Sequence, residues 1–553
     1  MPDAVTVTFL GGLGEIGRNC ACVEQDGRIV VLDCGIMFPE PDMPGVDLVL
    51  PDFSYLRDNA ERVEALVLTH GHEDHTGGLA YLLRDLRLTV YGSALTLGLA
   101  RNRVEESGLV DRATFVEVTD GDRRDIGPFD VEFIPVTHSV PHGFAVCFRT
   151  AQGVVLHSGD FKLDLTPVDG RLTDLGRIGA IAAEEGIRLL LSDSTNAEEP
   201  GYTASETEVG ATLRRVFESH PQRRIVATCF ASHIHRVQQI ADAAAASGRR
   251  LATLGRSMAK NVELARRLGV LTVDDSLLID IEQVETLEDG AVCVVSTGSQ
   301  GEPLSALALM AAGENKRFAL RPDDVVVISA HPIPGNEWAV GQVIDGLVRA
   351  GAEVVHTGLE PVHVSGHARQ GELKMLMSVA RPQWFVPVHG EYRHLVHHGR
   401  LAAQVGVAAD RVVLCEDGDS VVLDDDGLRR GPAVPAGLLY VDGTVGDVGH
   451  GVLRDRRVLA EEGVVVVVAT VDPHAKEVVT EPEIITRGWV HAPESEELLN
   501  DAAQVVRVAL AEALAQGHSD QDTLRRHARK ALGRLVGERT RRRPMIVPLI
   551  VVV

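Results

Sequence analysis

The sequence predicts an α/β protein in which packed β-sheets form a core, an α/β segment interrupts that core, and a smaller α/β domain ends the chain. Three observations predict it. Short apolar runs bounded by turn residues crowd the first third of the chain, with few helical stretches between them. From about residue 208, amphipathic helices begin to alternate with buried strands. A Gly-, Asp- and Val-rich stretch, GPAVPAGLLYVDGTVGDVG, then sets off a last segment with its own strands and helices.

Taken in order, VTVTFL, CACVEQ, RIVVLDCG and ALVLTH read as strands, and Asp26-Gly27 marks a hairpin between the second and third. TFVEV, VEFIPVTH, FAVCFRT, GVVLHSGD and LLLSDS continue the pattern. So many strands with so few early helices favour sheet-on-sheet packing over a parallel wheel. TEVGATLRRVFESH is helical, RRIVATCF a buried strand, and HIHRVQQIADAAAASG a helix ended by glycine. AVCVVSTG, VVVISA and AEVVHTG carry on the alternation, and ARQGELKMLMSVARP and QWFVPVHGE give a helix and a strand that return to the core. Two charged helices are expected between about 494 and 537, followed by MIVPLIVVV, expected as a buried strand whose hydrophobicity also suits a dimer interface. The expected boundaries are a core over 1–207 and 356–432, an insert over 208–355, a linker over 433–455 and a last domain over 456–553.

Composition bounds the setting. With 553 residues, 45% of them hydrophobic, the chain can bury several cores without staples. Seven scattered cysteines lack a C-x-x-C spacing, which points to a reduced, cytoplasmic environment. No basic stretch precedes a long apolar run, and no segment reaches the about 20 apolar residues of a membrane span, so neither export nor membrane insertion is expected. The formal charge of −25 does not exclude a nucleic-acid partner. A cationic groove can be local, and bound divalent ions add positive charge that the sequence count omits.

The chemistry concentrates in Thr69-His70-Gly71-His72-Glu73-Asp74-His75, directly after the apolar strand ALVL. Four potential ligands within six residues cannot share one side of a regular element, so the chain must curl and converge them. Imidazoles with a carboxylate suit zinc or manganese. His138 in PVTHS, Asp160 in HSGDFK and His389 in PVHGE also stand at strand ends. Each alone is more often a hydrogen-bonded or capping side chain. Together the seven supply three private ligands to each of two metals and one bridging carboxylate.

This set resembles the metallo-β-lactamase superfamily, and within it the β-CASP branch that processes nucleic acids. The resemblance implies a four-layer αββα core with an inserted β-CASP domain. It assigns His70, His72 and His138 to one metal and Asp74, His75 and His389 to the other, with Asp160 bridging and Asp33 orienting ligands from behind. Asp193 in LLSDSTNAE, His367 in HVSGH and His389 correspond to the branch's further motifs. ATCFASHIHRVQQI, GRSM, STGSQGEPLSAL and the C-terminal ITRGWVHAPESEEL resemble the bacterial ribonuclease J group, although Trp489 and His491 stand where that group suggests Phe and Tyr. The implied activity is two-metal hydrolysis of RNA phosphodiesters, 5′ to 3′ exonucleolytic with an endonuclease component, in mRNA decay and rRNA maturation. The implied partners are 5′-monophosphorylated RNA, a second or further copies of the chain (dimer or tetramer), and RNA-decay proteins.

His367 is the candidate proton donor to the leaving 3′ oxygen, since an imidazole titrates near neutral pH, and Asp74 and Asp193 complete the catalytic candidates. Two small-residue turns are candidates for phosphate binding. They are His363-Val364-Ser365-Gly366-His367 and Ala231-Ser232-His233, the latter opening a helix. Gly12-Leu13-Gly14-Glu15-Ile16-Gly17 matches a dinucleotide fingerprint, but a strand rather than a helix follows it, so no such cofactor is expected. Asp47 and Asp442, with Asp52 nearby, are candidates for a structural calcium. Arg539, Arg541, Arg542 and Arg543 read as a solvated helix end that could also touch RNA. The rival readings are a small-substrate hydrolase of the same superfamily, a DNA-cleaving relative, and a non-catalytic RNA-binding scaffold. Retention of every ligand disfavours the scaffold.

Overall fold

In the first 38 residues the chain already commits to a twisted sheet. Val5–Gly11 pairs antiparallel with Cys20–Gln25, and that strand with Arg28–Leu32. Asp26 and Gly27 turn the second hairpin with φ of 52° and 73°, the left-handed pair that a two-residue loop between right-twisted strands requires. The computed structural model describes residues 4–40, 42–333, 335–443, 445–490 and 496–553, so His491 lies outside the described residues. Chain contacts divide it into a unit of Met1–Phe38 with Val49–Leu438 and a unit of Pro39–Leu48 with Leu439–Val553.

The larger unit contains two stacked sheets. One has eight strands, from Gly427–Arg430 at one edge to Ala113–Glu117 at the other, and the second has six, from Trp384–Val388 to Arg123–Ile126. Their facing side chains form one core, in which Val7, Val23, Val30 and Val67 meet Phe133, Phe144, Val155, Leu191 and Val386. Alternation along the strands sends Ile134, Leu156 and Leu190 to the opposite face of the second sheet. There they pack on Ile178 and Ile181 of helix Leu175–Glu184, and on Leu373, Leu376 and Met377 of helix Gln370–Ala380.

The insert is a third, all-parallel sheet ordered Leu278–Ile279, Arg250–Leu254, Val292–Ser296, Ile225–Thr228, Val325–Ile328 and Glu353–His356. Its central strands are buried along their whole length, because helices cover both faces. After Gly12, Gly14 and Gly17 the chain enters strand Cys20–Gln25, not a helix, as the fingerprint argument anticipates.

In the smaller unit, Val464–Asp472 alternates half-buried and buried residues. Its inward Val465, Val467, Ala469 and Val471 pack on Val506, Leu510, Leu524 and Leu532 of helices Glu496–Ala515 and Gln521–Thr540. The terminal apolar run is a strand, Met545–Val552, pairing parallel with Val464–Val471. It is not the buried strand expected: Pro548 and Ile550 are enclosed, whereas Leu549, Val551 and Val552 are exposed, because only one face of the sheet carries helices. The stretch 433–455, read from sequence as a linker, contains strands Leu438–Asp442 and Val445–Asp447 and the first turns of helix Gly449–Glu462.

Asp442 pairs with the Arg456 guanidinium, which also donates to the Gly45 carbonyl at 3.0 Å, and Asp47 accepts the Gly443 amide at 2.6 Å. An arginine thus supplies the positive charge that the calcium expectation asks of an ion. Arg539 pairs with Asp501, and Arg542 with the Glu461 carbonyl. Among the described residues no helix is long and apolar enough to cross a membrane, and all seven cysteines are free and buried.

Candidate functional site

Strand ends of the two stacked sheets deliver the ligands. Arg28–Leu32 ends at Asp33 and Trp384–Val388 ends at His389, and both residues take a left-handed backbone (φ 59° and 55°) that turns the chain sharply at the sheet edge. The loop after Val63–Val67 carries Thr69 to His72 and runs into the single turn Glu73–Thr76. That curl depends on Gly35. A Cβ there would lie 1.6 Å from the Asp74 carbonyl oxygen, which accepts the Asn19 amide at 3.0 Å instead.

Asp33 organises the loop from beneath. Its carboxylate accepts the Thr69 amide and hydroxyl at 2.8 Å each and lies 2.8 Å from His75 Nδ1, leaving His75 Nε2 to face the centre. There Asp160 Oδ2 is 3.2 Å from His75 Nε2, 3.5 Å from His70 Nε2, 3.8 Å from His138 Nε2 and 3.5 Å from His389 Nε2. His72 Nδ1 sits 3.0 Å from His70 Nε2 and 3.1 Å from His138 Nε2, and Asp74 Oδ2 is 3.4 Å from His389 Nε2. His138 is held at its other nitrogen by the Gly366 carbonyl at 2.8 Å, and His389 by the Thr195 hydroxyl at 2.7 Å. One group therefore gathers His70, His72, His138 and Asp160, and another Asp74, His75, Asp160 and His389, with Asp160 common to both.

The donor set fits a pair of divalent cations. His72 Nδ1 lies about 3 Å from an imidazole nitrogen of His70 and of His138, close to the spacing of nitrogens bound at about 2.0–2.1 Å to one tetrahedral ion. Electrostatics points the same way. Burial, reinforced by neighbouring imidazoles, holds His70 and His138 well below the usual histidine range. At His75 and His389 burial acts downward too, but Asp160 and the other carboxylates outweigh it and raise both. Burial pushes Asp74 and Asp160 upward, yet the surrounding histidines hold both carboxyls below their ordinary values. The acids therefore stay ionised, and the protons their imidazoles attract are what a cation would replace.

Asp193 and His367 lie beside this cluster. Asp193 accepts the Thr195 amide at 2.9 Å with one oxygen and is 2.8 Å from His367 Nδ1 with the other. His367, its side chain 20% exposed, stacks on His389 with ring centroids 5.4 Å apart. Burial would lower it, but the Asp193 charge and hydrogen bond raise it above an ordinary histidine.

The two candidate phosphate turns also come together: the rings of His233 and His363 meet edge-on, 6.4 Å between centroids. Within the second turn Ser365 Oγ is engaged internally, by the His367 amide and the Asn196 side chain, and a Cβ on Gly366 would lie 2.7 Å from His138. Val364 packs against the insert's core. The Ala231 carbonyl accepts Asn261, and His233 precedes helix Ile234–Ala246 without capping it. Sequence reasoning missed Asn19, whose side chain lies 3.1 Å from His75 Nε2, as well as Thr195 and the buried Lys162, Glu206 and Arg236. The STN following Asp193 is the signal that could have found Thr195; no local pattern marks Asn19.

Fold and site together define a metallo-β-lactamase-superfamily protein carrying a β-CASP insertion. Residues 13–216 match the metallo-β-lactamase superfamily, 222–347 the ribonuclease J β-CASP domain, 352–412 the Zn-dependent metallo-hydrolase RNA specificity domain, and 451–553 the ribonuclease J C-terminal domain. Ribonuclease J2 of Bacillus subtilis is 40% identical over 549 residues, covering 99% of this chain and 98% of its own. Ribonuclease J of Mycobacterium tuberculosis is 44% identical over 548 residues, 99% and 97% respectively. This chain belongs to the ribonuclease J family. A solved structure from Enterococcus faecalis, titled a protein of unknown function, shares the fold at a TM-score of 0.55 and 17% identity, covering 76% of this chain and 100% of that one.

Proposed function

We propose that this protein is a metal-dependent ribonuclease that hydrolyses RNA phosphodiester bonds with two divalent ions, zinc or manganese. The observation that carries the reading is the convergence of four histidine nitrogens on the single oxygen Asp160 Oδ2, within a family of ribonucleases. His70, His72 and His138 would hold one ion and Asp74, His75 and His389 the other, with Asp160 between them. When bound, the ions activate water as nucleophile and neutralise charge growing on the phosphoryl oxygens.

The remaining steps belong to side chains. Asp33 fixes the His75 ring so that one nitrogen faces inward, and Thr195 does the same for His389. Asp193 holds His367 by its Nδ1, which leaves Nε2 to give a proton to the departing 3′ oxygen. Burial of His70, His75 and His138 excludes competing water from the ligand sphere. His233, Ser232, His363 and the 363–367 turn would receive the phosphate of a 5′-monophosphorylated end, favouring 5′ to 3′ exonuclease action alongside internal cleavage. A cytoplasmic role in mRNA decay and rRNA maturation, as a homodimer or homotetramer with RNA-decay partner proteins, completes the proposal.

The test uses one end-labelled oligonucleotide in 5′-monophosphorylated, 5′-triphosphorylated and deoxy forms, with Mn²⁺, Zn²⁺ or chelator. Metal-dependent release of mononucleotides from the monophosphorylated RNA is expected. No RNA cleavage with either metal would return weight to a small-substrate hydrolase.

A further inference from the structure

His233 is 1% exposed and neither of its ring nitrogens has a hydrogen-bond partner, although Nε2 lies 3.6 Å from Glu206 Oε1; Nδ1 of the neighbouring His363 is likewise enclosed and without a hydrogen-bond partner. Such orphans are rare among buried polar groups, and each calls for an explanation. Their surroundings explain why the protein leaves them so. Lys162 Nζ lies 3.4 Å from Asp164 Oδ2 and 3.6 Å from Glu206 Oε1, and Arg236 Nη2 is 2.7 Å from Glu206 Oε2. Arg236 is further committed to the carbonyls of Ser329 and Val362, and Asp164 to the Glu206 amide. All four charged side chains are buried. Two cations and two carboxylates cancel, so this lattice has no spare positive charge for an arriving anion.

Every element around the pair contributes a charged or titratable group. Glu206 comes from helix Glu206–Ser219, His235 and Arg236 from helix Ile234–Ala246, Lys162 from the loop after Gly153–His157, and His331 from the loop after Val325–Ile328. Burial, with Arg236, holds His233 well below the ordinary range and His363 at about 3, Glu206 acting in the opposite direction on both. Near neutral pH the free protein therefore presents two uncharged imidazoles. A phosphate dianion in this enclosed place needs compensating charge. The cations already present are neutralised, and these two rings are the groups able to gain it.

We propose that binding of a terminal phosphate between the two turns is coupled to the uptake of one proton by the His233–His363 pair. The inference rests on the phosphate reading of these turns and adds to it. Affinity for a 5′-phosphate then depends on pH through the protein as well as the ligand. The bound-state rings titrate higher than the free ones, so binding is strongest at the lower pH and is lost as pH rises.

Calorimetric titration of the metal-loaded protein with uridine 5′-monophosphate tests this, between about pH 7 and 8.5 where the phosphate is already a dianion. Buffers of different ionisation enthalpy report the protons exchanged, and uridine serves as control. The expected result is uptake of about one proton per nucleotide and an affinity falling by about tenfold per pH unit. His363→Gln and His233→Gln should each weaken nucleotide binding and reduce the buffer dependence, and the double variant should abolish it, with uridine unaffected. Binding weakened by both variants but without buffer dependence overturns the proton coupling and leaves the phosphate reading standing. Absent binding, or binding indifferent to both variants, overturns both together.

Discussion

The ligand cluster and the His233–His363 pair are both built from buried imidazoles, but the protein treats their nitrogens in opposite ways. In the cluster His75, His138 and His389 are each held at Nδ1, by Asp33, the Gly366 carbonyl and Thr195, while Nε2 faces the shared carboxylate. At the pair, neither His233 nitrogen makes a hydrogen bond, and Nε2 lies 3.6 Å from Glu206 Oε1. The difference teaches that one site is aimed by the protein itself, whereas the other is set among buried charges that balance and leaves its ring nitrogens without hydrogen bonds.

Removing donors from the organised site should produce the largest effect. His72→Ala with Asp74→Ala takes one private ligand from each group, and the loss of RNA cleavage should exceed the about 10–100-fold that follows removal of an orienting partner alone. Metal analysis of the purified variant should show fewer ions bound than in the parent. An unchanged metal content would break the assignment of these residues as ligands.

The next variant addresses the lattice beneath the pair. Glu206→Gln leaves Arg236 and Lys162 buried without their shared carboxylate, which should lower stability by about 3–5 kcal/mol. Denaturant unfolding checks this, and combining it with Lys162→Met should recover part of the loss by removing one stranded charge. If the single variant is neutral, Glu206 does not hold these buried cations as its distances to them imply.

How much of this was legible in the sequence follows from what each feature depends on. The seven candidate ligands were readable because they fall in the short segments that follow apolar strands, where the chain leaves the sheet and its side chains can converge. The parallel insert was readable from uniformly apolar strands alternating with amphipathic helices. Asn19 was not, since its contact with His75 depends on how far the 11–19 loop folds back, and no local pattern encodes that. The Lys162–Glu206–Arg236 lattice joins residues far apart in sequence, each unremarkable in its own segment. The terminal strand was misjudged because hydrophobicity reports the tendency to pair in a sheet, not whether both faces of that sheet are covered.

A smaller effect is expected from Asp33→Asn. The amide keeps the shape and can still accept the Thr69 amide, but it removes the charge beside His75 and permits the ring to turn. Cleavage should fall by about 10–100-fold with metal affinity weakened in parallel, measured by kcat against metal concentration. A fall in kcat that saturating metal does not reduce would mean that Asp33 acts on the chemistry rather than on ligand orientation.

The smallest effect belongs to the acids of the smaller unit, and it contrasts with the ligand cluster most sharply. Asp442 and Arg456 are about one-third exposed, where an ion pair contributes about 0–1 kcal/mol. With the guanidinium already between Asp442 and the Gly45 carbonyl, adding Ca²⁺ or a calcium-selective chelator should leave the unfolding temperature essentially unchanged. Arg456→Ala should lower it slightly through the lost pair and carbonyl contacts. A marked rise in unfolding temperature with Ca²⁺ in the parent protein would show that the arginine yields to an ion, making Asp47 and Asp442 a cation site after all. In that case both acids would be completed by a ligand, as proposed for His233, and the division between self-aimed and ligand-completed groups would run through both units of the chain.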